Sequence, residues 1–258
     1  MIIKKIHFVI DNTNKAKFHE KKIYKRYKNY PPKISDVIVV LGGDGFMLQI
    51  LKKYRKYNKP FYGMNRGTFG FLMNKFKSQN IIRNISTSKL VSISPLEAVV
   101  TTKNNKILSA FAINEVSLLR QSRQTASLRI ESSKKVLIKK LISDGVLVST
   151  PAGSTAYNLS VHGPILSINS RKIAITPISP FRPRRWKGKI LPSSTVIKII
   201  NLNTKKRPVS VVADNLEIRN IKNVKIKTNN SINFKLLYDK NNSLSKKIKL
   251  EQIRKQIA

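Results

Sequence analysis

The sequence predicts an α/β domain over residues 1–90 followed by a β-rich domain over 91–238. Three observations carry that reading. Short apolar runs alternate with helical patterns through the first third, the rhythm of βαβ units in a mostly parallel sheet. Near residue 90 the apolar period changes to two, that of strands with one buried face. Between an apolar run and a helical pattern stands "LGGDGF" (41–46), where glycines let the backbone turn sharply or come close to another group.

In order, "KKIHFVI" (4–10) reads as a strand and "NKAKFHEKKIYKRY" (14–27) as a basic helix. "DVIVVL" (36–41) is a continuous apolar run too short for a helix, hence a buried parallel strand. "FMLQILKKYRKY" (46–57) is helical in period and "KPFYGMN" (59–65) is the next strand. Ligands are expected at the carboxyl ends of such strands. Beyond residue 90, the segments 96–120, 127–150, 194–200 and 224–238 alternate apolar and polar residues. Asn104-Asn105 and Asn229-Asn230 stand where hairpin turns are expected. The last stretch, 243–258, spaces Leu244, Ile248, Ile253 and Ile257 as a helix that docks on a domain.

The chain has 51 Lys and Arg against 12 Asp and Glu, a formal charge of +39. The lysines are spread along the chain, among many asparagines and isoleucines. That pattern reads as compositional bias with solvated charge, and no helix-turn-helix, RNA-binding or zinc pattern supports a nucleic-acid partner. The absence of Cys excludes disulfides, thiolate metal sites and cysteine nucleophiles, and fits a reducing interior. No apolar run approaches the ~18–20 residues of a membrane span. The N-terminus reads as a strand and not a signal peptide, so the expectation is a soluble, cytoplasmic protein.

With so few acids, their placement is informative. Asp44 lies in "GGDG" between strand and helix, where backbone N–H groups and a helix N-terminus favour phosphate. A carboxylate there takes a proton from a hydroxyl attacking phosphorus, helps hold Mg²⁺, or serves only as a turn device. The segment is neither a P-loop nor GxGxxG. A second glycine loop, "NRGTFGFL" (65–72), follows the next strand; its Phe69 and Phe71 are core residues or faces for a base. "ISDGVLVSTPAGSTAYNLSVHGPIL" (142–166) is the richest segment. There Ser154 or Thr155 is expected to cap a short helix through Ser160, and Thr155, Tyr157, Asn158 and Ser160 offer polar contacts to a ligand. His162 reads as structural. Glu115 in "INEVSL", Asp144 in "SDG" and Asp214 in "VVADN" complete the set. No metal-ligand cluster is visible, so a divalent ion is expected only through substrate phosphates.

Together, "GGDGF", "NRGTFGFL", "INE", "SDGVLVSTPAGSTAY" and "HGPI" resemble the NAD kinase family in order and spacing across nearly the whole chain. GGDG alone is shared with lipid kinases and phosphofructokinases; the "NE" and "TPxGSTAY" elements are what single out the family. The resemblance implies a Rossmann-like α/β domain of the GGDG kinase superfamily and a β-sandwich-like second domain, with the C-terminus (239–258) returning to the first. It implies Mg²⁺-dependent phosphoryl transfer from ATP, or polyphosphate, to the 2′-hydroxyl of the adenosine ribose of NAD, by a homodimer or homotetramer. By position, Asp44 matches the proposed base, and Gly42, Gly43 and Gly45 the phosphate loop. Phe71 matches an aromatic near adenine, Asn114 and Glu115 the pair holding a ribose hydroxyl, and Asp144 an acid on the nicotinamide side near a subunit contact. Thr155, Ala156, Tyr157 and Ser160 match the pocket lining, and Asp214 a later pocket acid. Phe46 and Ala152 stand where many members carry a hydroxyl, and Asn215 follows Asp214 at a position that varies. A GGDG-type lipid kinase and a basic nucleic-acid binder are the competing readings; the first does not explain "STPAGSTAY" and the second does not explain the glycine-set carboxylates.

Overall fold

The computed structural model describes residues 2–67, 70–133 and 135–240. In chain order the strands are β1 (Ile6–Ile10), β2 (Val37–Gly42), β3 (Phe61–Asn65), β4 (Lys89–Ile93), β5 (Leu96–Thr102), β6 (Ile107–Ala112), β7 (Glu115–Arg120), β8 (Ala126–Ser132), β9 (Lys135–Ser143), β10 (Gly145–Ser149), β11 (Lys172–Ile178), β12 (Lys189–Pro192), β13 (Ile197–Asn201), β14 (Val209–Ala213), β15 (Leu216–Ile218), β16 (Ile221–Thr228) and β17 (Phe234–Tyr238). The helices are α1 (Asn14–Lys17), α2 (Glu20–Arg26), α3 (Asp44–Tyr54), α4 (Ile81–Ser86) and α5 (Tyr157–Ser160). The chain divides into two compact units. One begins at the N-terminus, ends at Ile93 and resumes at Asn233; the other is Ser94–Ile232.

The first unit is built on a five-stranded sheet in the order β1-β2-β3-β17-β4. β1, β2, β3 and β17 are parallel and β4 runs antiparallel to β17. All six residues of β2 are buried, as its unbroken apolar run requires of a central parallel strand. Phe8, Val37, Val39, Leu41, Tyr62 and Met64 share one core. α3 buries Met47, Ile50 and Leu51, the i, i+3, i+4 face of its pattern. The basic helix expected over 14–27 is divided at Phe18–His19 into α1 and α2, which bury only Ala16 and Ile23; so little packing does not hold one long rod.

The second unit is a sandwich of two six-stranded sheets, β6-β5-β16-β13-β8-β9 and β12-β11-β10-β7-β14-β15. A single apolar cluster contains Val100, Ile130, Ile199 and Val224 from the first and Leu118, Val148, Ile175 and Val211 from the second. The period of two is thus that of inward-facing residues. The chain changes sheet over very short crossings at Ile113-Asn114 between β6 and β7, at Asp144 between β9 and β10 and at Arg219-Asn220 between β15 and β16. The Asn104-Asn105 turn is present, with Thr102 N–H donating to Lys106 O at 2.9 Å and Asn105 at φ 59°. Asn229-Asn230, however, is no hairpin. β16 pairs with β5 and β13, whereas β17 pairs with β3 and β4, so the chain re-enters the first unit before residue 239. Asn229 Oδ1 accepts from Ser231 N–H at 3.0 Å and Ile232 N–H at 3.2 Å and sets that turn. The helix expected over 243–258 lies outside the described residues.

Candidate active site

In the first unit the site grows from the carboxyl ends of β2 and β3, which pair in register through Gly42 and Asn65. β2 ends at Gly42, Gly43 is the extended N-cap residue and Asp44 opens α3. The two glycine loops meet backbone to backbone: a Cβ added at Gly67 would lie 3.2 Å from Gly43 Cα. The Asp44 carboxylate reaches across to the second loop, accepting from Phe71 N–H at 2.7 Å and Leu72 N–H at 3.1 Å. Gly70 makes that approach possible, since a Cβ there would stand 2.7 Å from Asp44 Oδ1. Asp44 is therefore both a turn device and a carboxylate held in one orientation at a helix N-terminus. Its charge, after burial, helps push the Tyr238 phenol well up. Phe71 is half-buried and its backbone N–H takes part directly; Thr68 and Phe69 lie outside the described residues. Gly45 is exposed, with no atom within 4 Å of where a Cβ would be. The structure also accounts for Phe46, whose ring edge occupies the place of a Gly42 side chain, 2.7 Å from that Cβ position.

In the second unit the Ile113-Asn114 crossing is the organising feature. A chain leaving one ladder for another loses its regular backbone partners, and buried N–H groups need replacements. Asp214 supplies them: its carboxylate accepts from Ile113 N–H at 2.8 Å, Asn114 N–H at 2.9 Å and Glu115 N–H at 3.4 Å. It does so from a left-handed conformation, φ 54°, which Asp tolerates better than most residues. The segment after β10 is locked to the same crossing. Thr150 Oγ donates to Ile113 O at 2.7 Å, Thr150 N–H to Asn114 O at 2.9 Å, and Gly153 N–H to Thr150 Oγ at 3.0 Å. Gly153 packs so closely that a Cβ there would lie 2.1 Å from Asn114 O.

This scaffold gathers Asn114, Glu115, Thr155, Ala156 and Tyr157. Asn114 Oδ1, Glu115 Oε2 and Thr155 Oγ are buried and have no hydrogen-bond partner among the described residues. Burial, and then the charge of Asp214, pushes the Glu115 carboxyl up to about 8. The Tyr157 phenol is raised by burial, then by Glu115 and Asp144. Ala156 is half-buried and Ser160 is exposed at the end of α5. Asp144 is not beside Glu115. It adjoins Arg120 at the other end of the β7–β10 ladder, where its carboxylate accepts from Arg120 Nε at 2.5 Å.

The expected helix cap is absent. Ser154 Oγ donates instead to Pro151 O at 2.7 Å and accepts from Leu166 N–H at 3.0 Å, and α5 begins after Ala156 with no side-chain cap. Asn158 is scaffold: it is fully buried, accepting from Thr176 Oγ at 2.7 Å and donating to Pro164 O at 2.9 Å. Ala152 is buried, and His162 is exposed in a left-handed turn, φ 62°. Thr150 was not among the expected residues; nothing in "VSTPA" marks that hydroxyl as the link to a segment far away in sequence. Among the described residues no three His, Asp or Glu side chains come together as metal ligands.

The family model described as the ATP-NAD kinase N-terminal domain matches residues 6–88, and that of the ATP-NAD kinase C-terminal domain matches residues 113–237. The NAD kinase of Brucella suis biovar 1 is 45% identical over 249 residues, 96% of this chain and 97% of its own. That of Zymomonas mobilis subsp. mobilis is 44% identical over 256 residues, 98% of this chain and 99% of its own. Among solved structures, yeast NADH kinase complexed with NADH has a TM-score of 0.78 at 21% identity, covering 100% of this chain and 90% of that one. An NAD kinase from Archaeoglobus fulgidus in complex with ATP has a TM-score of 0.76 at 20% identity, covering 97% and 100%. The solved structures match in fold; the domain models and the end-to-end relatives go further, and by them this chain belongs to the ATP-NAD kinase family.

Proposed function

We propose that this chain is an NAD kinase that transfers the γ-phosphoryl group of ATP to the 2′-hydroxyl of the adenosine ribose of NAD, giving NADP and ADP. The observation that carries the reading for this chain's own residues is the trio of buried polar atoms without partners, Asn114 Oδ1, Glu115 Oε2 and Thr155 Oγ. Buried polar groups are normally satisfied, so such a trio calls for a polar ligand. A ribose suits it, because each hydroxyl both donates and accepts. With its carboxyl raised to about 8, Glu115 is mostly protonated at pH 7 and can do both in return.

In the transfer, the O2′–H bond breaks as O2′–Pγ forms, the proton passes to the Asp44 carboxylate, and the bond from Pγ to the β,γ-bridging oxygen breaks. Such a loose transition state asks more of positioning than of base strength. The N–H groups of Phe71 and Leu72 do that positioning for Asp44. Gly42, Gly43 and Gly45 leave the start of α3 open to phosphate, and the helix N-terminus favours the negative charge. Tyr157 and Ala156 line the ribose side with Ser160 at its rim, and Asp214 acts by holding residues 113–115 in place. Asp144, paired with Arg120, serves the far end of the dinucleotide. Mg²⁺ enters with the ATP phosphates as part of the nucleotide substrate. We expect a cytoplasmic homodimer or homotetramer, which light scattering distinguishes. Incubation with NAD, ATP and Mg²⁺ and an NADP-specific dehydrogenase readout tests the activity. Phosphorylation of a lipid in place of NAD would overturn it.

A further inference from the structure

The Phe71 and Leu72 N–H groups that hold Asp44 belong to a segment with an anchor of its own. Residues 70–74 run back onto β3, where Asn65 N–H donates to Asn74 O at 2.8 Å and Asn74 N–H donates to Gly63 O at 2.8 Å. Met73 is buried in the space that Gly63 leaves, its Sδ 2.5 Å from where a Cβ would be. The same side chain closes on Gly70, with Cγ 3.2 Å from that residue's Cβ position. The end of the segment is thus set by Asn74.

Asn74 is completely buried, and its carboxamide reaches β17. Nδ2 donates to Leu237 O at 2.8 Å, and Oδ1 accepts from Asp239 N–H at 2.9 Å. β3 and β17 pair at one position, Leu236 with Phe61. Past that pair the backbone groups of β17 need other partners, and the Asn74 amide stands in for a peptide group of the missing ladder. An acceptor on one side and a donor on the other fix which way the amide faces. Asp239 is tied back to β3 in turn, accepting from Tyr62 OH at 2.7 Å. With no surface exposed, Asn74 touches no substrate; whatever it does for the reaction it does through its neighbours.

We propose, resting on the base role given to Asp44 above, that Asn74 is a positioning residue: it pins residues 70–74 to β17 so that the Phe71 and Leu72 N–H groups stay aimed at the Asp44 carboxylate. β17 then does more than complete the sheet. The strand returning from the second unit sets the geometry of a loop about 165 positions earlier in the chain. Misplacing a reacting group by about 1 Å costs about a hundredfold in rate, so a loosened anchor is felt as turnover.

Asn74→Ala removes both side-chain bonds. In the folded full-length variant, kcat for NADP formation falls about tenfold while the KM values for NAD and ATP stay within about twofold. Hydrogen exchange gives a readout that needs no turnover: the Phe71 and Leu72 amides exchange about tenfold faster, and those of β2 are unchanged. Asn74→Asp separates positioning from lost packing. Its carboxyl, when protonated, can donate to Leu237 O and accept from Asp239 N–H, so its kcat relative to the parent recovers as pH falls, whereas that of Asn74→Ala does not. Should Asn74→Ala not fold, Tyr62→Phe frees the Asp239 side chain and gives a smaller change in the same direction. Lys77→Gln, on the exposed side of Asp239, leaves every readout at the parental value. Normal kcat in Asn74→Ala, a raised KM in place of a lowered kcat, or Phe71 and Leu72 amides exchanging at the parental rate overturns the proposal. A parent that forms no NADP overturns instead the function proposed above, and the exchange rates still decide whether Asn74 holds the loop.

Discussion

Glu115 makes the unliganded protein titrate in a way that a single substitution exposes. Its carboxyl rises from an ordinary glutamate's 4.5 to about 8, first through burial and then through Asp214. In the unfolded chain the group ionises through pH 4.5; in the folded protein it stays protonated until about pH 8. The protonated form is therefore the one that folding favours. Its contribution to stability is whole below pH 4.5, falls as pH rises, and is gone above about 8. By linkage, each pH unit across that window costs about 1.4 kcal/mol. Glu115→Gln keeps the shape and cannot ionise. The variant should be more stable than the parent by about 2 kcal/mol at pH 6, about 3 kcal/mol at pH 7 and about 4–5 kcal/mol above pH 8. Urea unfolding without ligand at pH 6, 7 and 8.5 measures the difference. A variant no more stable than the parent at pH 8.5, or a gap that does not widen with pH, refutes the reasoning. The same variant should bind NAD more weakly, a stability gain at the expense of the site.

Asp44→Asn replaces a carboxylate that receives two backbone N–H groups with an amide that must turn an NH₂ toward one of them. A loss of about 2–3 kcal/mol in urea unfolding is expected, together with loss of NADP formation in the coupled assay; near-normal turnover would remove Asp44 as the base. Asp214→Asn weakens the hold on the Ile113–Glu115 crossing and removes a charge that raises Glu115. It should raise the KM for NAD and flatten the pH dependence of stability, both read against the parent. Gly153→Ala forces a methyl to 2.1 Å from the Asn114 carbonyl, a backbone atom that cannot swing away. It should lower the thermal midpoint and raise the KM for NAD, with less effect on the KM for ATP.

The glycine-loop geometry around Asp44 was legible because its parts are consecutive. An unbroken apolar strand, a glycine turn and a helical period over 37–54 state their own geometry. Asn114, Glu115, Thr155 and Tyr157 were legible as motif, yet the reason they stay together was not. Asp214 reaches residues 113–115 from about a hundred positions away, and local pattern carries no such information. Neither the grip of Asp44 on the second glycine loop nor the use of Asn158 as scaffold has a signature in spacing. β17 shows the same limit: alternation tells which face of a strand is buried, not which sheet receives it. Phe46, unexplained as a departure from the family pattern, makes sense only beside Gly42, whose missing side chain leaves its ring a place.

The crossings between the sandwich sheets at Ile113-Asn114 and at Asp144 are so short that they set the phase of the strands that follow. One residue added or removed at Ile113-Asn114 or at Asp144 would turn the following strand over, carrying Val116 and Leu118, or Val146 and Val148, from the core to the outside. Length variation compatible with this architecture therefore belongs at hairpin tips such as Lys103–Lys106, and the positions that line the site sit in the part of the chain least free to change length.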